Sequence, residues 1–293
     1  MMDLHSPATI RHLKDKYGFR LAKGLGQNFL TNPGVLQDMV RGAEITDQDL
    51  VVEIGPGIGV LTRVLADSAA WVCAVEVDRR LEPILAETLE DRDNVEICWE
   101  DILKTDVRRL IEEGKEKMGP DGAVRIVGNL PYYITTPILM KLLEEDTGAE
   151  SITVMMQKEV ADRIVASPGG KDYGALSVAV QYHCETRRVA VVPKESFYPH
   201  PKVDSAILHL TMRDAKAAEV NDEKTMFACV RAGFNQRRKT LVNALSSGLG
   251  MDKEEVRICL DRAGVDGGWR AETLTIQDFA QISNEIENYQ RQG

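Results

Sequence analysis

The tetrapeptide Asn129-Leu130-Pro131-Tyr132 has side chains that could do chemistry on a nucleobase. The exocyclic amine of adenine is a poor nucleophile because its lone pair is delocalised into the ring. Two acceptors holding its two N–H groups favour a tetrahedral nitrogen and aim the lone pair at an electrophile. The Asn129 side-chain oxygen and the Leu130 carbonyl suit that geometry, Pro131 stiffens the turn, and Tyr132 offers a face for the base. No general base is required, since the nitrogen can lose its proton after reacting. The plainer alternative is an Asn-Pro loop turn.

A second group of residues could hold a nucleoside-bearing cofactor. Glu53-Ile54-Gly55-Pro56-Gly57-Ile58-Gly59 puts glycines where a backbone must pass close to a ligand. Farther along, Glu76 is placed to accept from two ribose hydroxyls, and Asp101 from the amine of an adenine. Each carboxylate alone could be a helix cap or a solvated group. A dinucleotide-binding loop would read G-x-G-x-x-G, but Val60 and Leu61 follow Gly59, and Thr62 stands where the last glycine would.

Positioning these groups requires strands that end where they stand. Apolar runs at Leu50 to Ile54, Trp71 to Val75, Val95 to Trp99, Val124 to Val127 and Ile152 to Met156 read as strands. Helical stretches at Val60 to Ala66, Arg79 to Leu89 and Pro137 to Leu143 lie between some of them. That alternation predicts an α/β fold with a parallel sheet covered on both faces, whose ligands sit at the strand carboxyl ends. Thr186 to Val192 and Val203 to Thr211 fit an antiparallel pair at one sheet edge. Beyond Asp214 the spacing turns helical at Thr225 to Arg231, Arg238 to Ser246, Lys253 to Ala263 and Ile276 to Tyr289. The division expected is residues 1–213 as the ligand-binding domain with a basic N-terminal segment, and 214–293 as a small all-helical domain.

Composition bounds the partners. Hydrophobic residues make up 43% and charged residues 28%, as in folded globular proteins. The net charge of -10 disfavours nucleic acid overall, yet two basic islands interrupt it. One comprises Arg11, Lys14, Lys16, Arg20 and Lys23, and the other Arg231, Arg237, Arg238 and Lys239. Each is a candidate phosphate grip or a solvated helix face. The five cysteines and five histidines lack metal-ligand spacing, so no metal is expected. No apolar run approaches the length of a membrane span and the N-terminus is charged, which predicts a cytoplasmic protein without membrane association.

Together these motifs closely resemble the ribosomal RNA adenine dimethyltransferase family, and its small-subunit branch in particular. The resemblance extends to Leu25-Gly26-Gln27-Asn28-Phe29-Leu30, Gln157-Lys158-Glu159-Val160-Ala161, Tyr173-Gly174-Ala175-Leu176-Ser177-Val178 and Phe197-Tyr198-Pro199-His200-Pro201-Lys202-Val203-Asp204-Ser205. It implies a Rossmann-like class I methyltransferase sheet with S-adenosylmethionine as cofactor. Asn28 and Leu30 would close over that cofactor, joining Gly55, Gly57, Glu76, Asp101 and Asn129. Phe197, in a proline-rich loop expected to be exposed, would face Tyr132 across the acceptor base. Lys23 and Lys202 join Arg231, Arg237, Arg238 and Lys239 as RNA-binding candidates. The implied substrate is a pair of adjacent adenosines near the 3′ end of small-subunit rRNA within an immature subunit, methylated by a monomer. Four alternatives stay open: a large-subunit rRNA adenine methyltransferase, a DNA adenine methyltransferase, a non-catalytic assembly or transcription factor on the same fold, and a nicotinamide oxidoreductase.

Overall fold

The computed structural model describes residues 3–19, 27–118 and 122–292. Its main sheet has seven strands in the order β4-β3-β2-β5-β6-β9-β7. These are β2 (Leu50–Ile54), β3 (Trp71–Val75), β4 (Val95–Cys98), β5 (Val124–Asn129), β6 (Ser151–Gln157), β7 (Cys184–Val192) and β9 (Ser205–Met212). From β4 through β6 the neighbours are parallel, and β9 then runs antiparallel to β6 with Met155 opposite Ile207. Every residue of β2 is buried, as a central strand covered on both faces requires.

The covering helices of this part are α1 (Pro7–Lys16), α2 (Pro33–Gly42), α3 (Val60–Ala66), α4 (Glu82–Thr88), α5 (Val107–Met118) and α6 (Thr135–Glu144). The Arg79 to Leu89 stretch is a short 3-10 turn, Arg79–Leu81, leading into α4. Helix α5 has a weak signature in the sequence because its apolar face is narrow: Val107, Leu110, Ile111 and Gly114 turn inward among charged neighbours. A separate two-stranded ladder pairs β1 (Phe29–Leu30) with β8 (Phe197–Tyr198), setting Leu30 opposite Phe197.

The described chain divides into two compact units, and the boundary expected at residues 213/214 needs correcting. Residues 162–186 group with 213–293, while 187–212 stay with the first unit. The cause is apolar packing. Helix α8 (Ala175–His183) and the segment before it place Tyr173, Val178 and Tyr182 in one core with Met226, Val230, Leu245 and Phe279. The other helices of this unit are α9 (Glu223–Asn235), α10 (Leu241–Leu249), α11 (Lys253–Arg262) and α12 (Ile276–Gln292), and α7 (Lys158–Ile164) spans the junction. Helices α9 and α10 cross so closely that a Cβ on Gly248 would stand 2.3 Å from the Ala232 Cβ.

His183 ends α8 as a buried ring stacked on Phe227, with its Nδ1 2.6 Å from the Lys216 ammonium. Burial pushes its pKa down to about 4; the Lys216 charge adds to the shift and Glu223 opposes it. The folded ring is therefore neutral at a pH where the unfolded one, titrating near its ordinary value of 6.5, takes a proton. The stability this neutral packing contributes is complete above pH 6.5 and is lost as pH falls toward 4. Urea unfolding at pH 7 and pH 5 should show a loss that is smaller in His183→Gln by on the order of 2 kcal/mol, the remainder including that from buried His209. An equal pH dependence in the variant contradicts the assignment.

Candidate functional site

At the carboxyl ends of β2, β3 and β5 lies a cleft lined by Gln27 to Leu30, the loop Glu53 to Gly57, Glu76, Asp101 and Asn129 to Ile134. Gly57 shows why the loop must be glycine. Its φ of 59° is left-handed, and a Cβ there would stand 3.1 Å from the Phe29 ring. Glu76, at the end of β3, is 7% exposed; its Oε1 accepts the Asp78 N–H at 2.8 Å and its Oε2 the Gly57 N–H at 3.2 Å. Each oxygen keeps a lone pair for a further donor. Burial raises its pKa above the ordinary carboxylate value while those backbone N–H groups oppose the shift. Asp101 accepts the Leu103 N–H on Oδ1 at 3.0 Å and also lines the cleft.

Glu53 lacked a role of its own in the sequence, where it marks only the start of the glycine loop. In the structure it is 1% exposed, lines the cleft, and has no hydrogen-bond partner for either oxygen among the described residues. Burial pushes its carboxyl up to about 8, and the Glu76 charge adds to the shift. Among the described residues the cleft is lined by the carboxylates Glu76, Glu100 and Asp101, by the carboxyl of Glu53, and by no Lys or Arg. Such a lining suits a cation that also carries hydroxyl and amine donors, and it repels the pyrophosphate of a dinucleotide.

At the acceptor end, Asn129 closes β5 and its Nδ2 donates to the Asn28 carbonyl at 3.3 Å. That bond orients the amide, and Oδ1 makes no hydrogen bond among the described residues. The Leu130 N–H is spent on Met155 O at 3.0 Å, and the Pro131 carbonyl takes the Ile134 N–H and the Thr135 hydroxyl. The tetrapeptide is thus a fixed turn that leaves the Asn129 oxygen available. Tyr132 is half-buried, its hydroxyl 2.6 Å from Ser205 Oγ on β9. Beside it Tyr133, which has no motif role in the sequence, lines the cleft at 55% exposure. Its place next to Tyr132 was the available signal.

Phe197 corrects an expectation. It is 1% exposed and packs in the core with Phe29, Leu30 and Met39, not in an exposed loop. The β1–β8 ladder causes this, reinforced by Thr31 donating its N–H to the Ser196 carbonyl at 2.8 Å. Phe197 therefore buttresses the segment carrying Asn28 and Leu30 and does not line the cleft.

The basic candidates separate as well. Lys23 and Arg20 lie outside the described residues. In α1, Ile10 and Leu13 are buried, Lys16 pairs with Glu87 at 2.7 Å, and Arg11 lies 5.9 Å from the Tyr198 ring centre. Arg237 is occupied inside its own unit. Its guanidinium donates to the Lys171 carbonyl at 3.0 Å and the Tyr173 carbonyl at 3.2 Å, and it pairs with Glu272 at 3.4 Å. Arg231, Arg238, Lys239 and Lys202 are exposed.

Comparison with known proteins agrees with this geometry. The family model described as ribosomal RNA adenine dimethylase matches residues 18–288. A ribosomal RNA small subunit methyltransferase A of Clostridioides difficile is 49% identical over 284 residues, covering 97% of this chain and 96% of that one. The crystal structure of a dimethyladenosine transferase from Plasmodium falciparum superimposes with a TM-score of 0.74 at 25% identity, covering 89% of this chain and 98% of that one. That of the 23S rRNA methyltransferase ErmE gives 0.65 at 28% identity, covering 89% of this chain and 100% of that one.

Proposed function

The chain belongs to the ribosomal RNA adenine dimethylase family, and from that premise we propose that it dimethylates N6 of two adjacent adenosines near the 3′ end of small-subunit rRNA. The methyl donor is S-adenosylmethionine and the setting an immature small subunit in the cytoplasm, with the protein acting as a monomer. The observation that carries this reading is a single cleft lined both by Glu53, Glu76 and Asp101 and by Asn129 to Tyr133. When bound, S-adenosylmethionine supplies an electrophilic methyl on a sulfonium. Glu76 holds the ribose hydroxyls, Asp101 the cofactor's adenine amine, and Asn28 and Leu30 cover it. Asn129 Oδ1 and the Leu130 carbonyl accept the two N–H groups of the target amine, and Tyr132 with the exposed Tyr133 holds the base. Relatives whose names specify the small subunit support that choice over the large one.

The test is single-turnover methyl transfer from labelled S-adenosylmethionine to immature small subunits and to large subunits, with thermal stabilisation by S-adenosylmethionine and NAD measured alongside. Transfer to the small subunit only, and stabilisation by S-adenosylmethionine only, is the expected result. Stabilisation by NAD alone, or transfer to the large subunit, refutes the reading.

Arg231, Arg238, Lys239 and Lys202 grip rRNA phosphates, whereas Arg237 is a structural clamp. Arg238→Gln with Lys239→Gln should flatten the slope of log affinity against log salt by about 1.4, from two contacts at about 0.7 each. Arg237→Gln should leave the slope unchanged while lowering the melting temperature. A flattened slope in Arg237→Gln, or none in the double variant, reverses these roles.

A further inference from the structure

Trp269 stands apart from the other tryptophans. It is 47% exposed on the helical unit, whereas Trp71 and Trp99 are half-buried. The backbone that carries it is firmly held. Its N–H donates to the Asp266 carbonyl at 3.0 Å, and its own carbonyl accepts the Leu241 N–H, the first of α10, at 2.7 Å. The preceding Gly267 carbonyl takes the Val242 N–H at 3.2 Å. The loop lies so close on α10 that a Cβ on Gly267 would stand 2.5 Å from Val242 Cγ2. A large planar ring is therefore presented to solvent from a rigid support.

The backbone adjoining Trp269 carries unspent positive charge. Arg238 and Lys239 stand just before Thr240, the cap of α10, to whose first residue the Trp269 carbonyl is bonded, and Arg270 follows the tryptophan in sequence. All three are exposed, and among the described residues their side chains make no ion pair or hydrogen bond. The acids close by are engaged: Asp266 Oδ1 accepts the Gly268 N–H at 2.8 Å, and Glu272 pairs with Arg237. A protein partner would call for a broader apolar patch, but this one is a single indole with three cations on the adjoining backbone. Unpaired RNA offers what such a site recognises, a base face for the ring and phosphates on either side for the cations.

We propose that Trp269 is a stacking platform for an unpaired base of the rRNA substrate, with Arg238, Lys239 and Arg270 on the flanking phosphates. This deepens the rRNA reading and rests on it. Stacking of this kind tolerates any base, so the platform adds affinity for single-stranded or splayed nucleotides and carries little sequence preference.

The test measures binding of a labelled single-stranded oligoadenylate and of a fully paired RNA duplex to the full-length protein by fluorescence anisotropy. Trp269→Ala and Trp269→Leu should weaken oligoadenylate binding by roughly five- to a hundredfold, and Trp269→Phe should restore most of it. The salt slope should stay that of the parent, since no phosphate contact is removed, and duplex binding should not change. Parent-like oligoadenylate binding by Trp269→Ala overturns the proposal, as does an equal loss on the duplex, or a Trp269→Leu variant that binds as tightly as Trp269→Phe. A loss confined to binding of purified ribosomal proteins overturns it in favour of a protein partner. Methyl transfer by the parent separates the two readings. If the parent methylates small-subunit rRNA and Trp269→Ala binds oligoadenylate normally, only the platform fails. If the parent does not methylate but the stacking loss appears, the platform stands and the methylation reading fails.

Discussion

Asn129→Ala is expected to slow methyl transfer roughly a hundredfold or more, equivalent to about 3 kcal/mol of transition-state stabilisation, while leaving rRNA affinity close to that of the parent. The Asn129 amide is held by its Nδ2 on the Asn28 carbonyl. That leaves Oδ1 available to accept from the target amine in the proposed reaction, with a hydrogen bond that would strengthen as the nitrogen becomes tetrahedral. An interaction realised chiefly in the transition state lowers the rate more than the binding. Asn129 also borders the cofactor cleft, so S-adenosylmethionine affinity is measured in parallel to separate the two effects. Near-normal single-turnover transfer by this variant would contradict the acceptor role.

Glu76→Ala should weaken S-adenosylmethionine binding at least about a hundredfold, because two charge-assisted hydrogen bonds of about 1.5 to 3 kcal/mol each are lost. The carboxylate also receives the N–H groups of Gly57 and Asp78, so the substitution loosens the glycine loop as well. Glu76→Gln keeps the volume and one acceptor oxygen, and its affinity should fall between parent and Ala. Melting of both variants without ligand separates lost contacts from a disordered loop. Calorimetry giving unchanged affinity for Glu76→Ala would remove the ribose assignment.

Much of the cleft could be read in the sequence because a parallel sheet gathers its strand ends. Once Leu50 to Ile54, Trp71 to Val75 and Val124 to Val127 read as strands of one parallel sheet, Gly55, Glu76 and Asn129 had to lie along its carboxyl edge; the pairing of β2 with both β3 and β5 then brings them together. Features set by distant pairing were not legible. Phe197 has the composition of an exposed proline-rich loop, and only its ladder with Leu30 buries it. Arg237 looks as free as Arg238 until residues 171 and 173 fold against it. Residues 162–186 join the helical unit because Tyr173 and Tyr182 complete its core, a contact no local periodicity announces. Glu53 was visible as a residue, but its role depends on a burial that only the folded sheet creates.

The account is tested most directly by mapping methylated nucleotides in small-subunit rRNA from cells with and without the gene, using mass spectrometry of defined fragments. It predicts N6,N6-dimethyladenosine at two adjacent adenosines near the 3′ end, present with the gene, absent without it, and restored by the parent chain but not by Asn129→Ala. Unchanged dimethyladenosine in cells lacking the gene, or a gene-dependent methyl on guanine, on cytosine or in large-subunit rRNA, would contradict it.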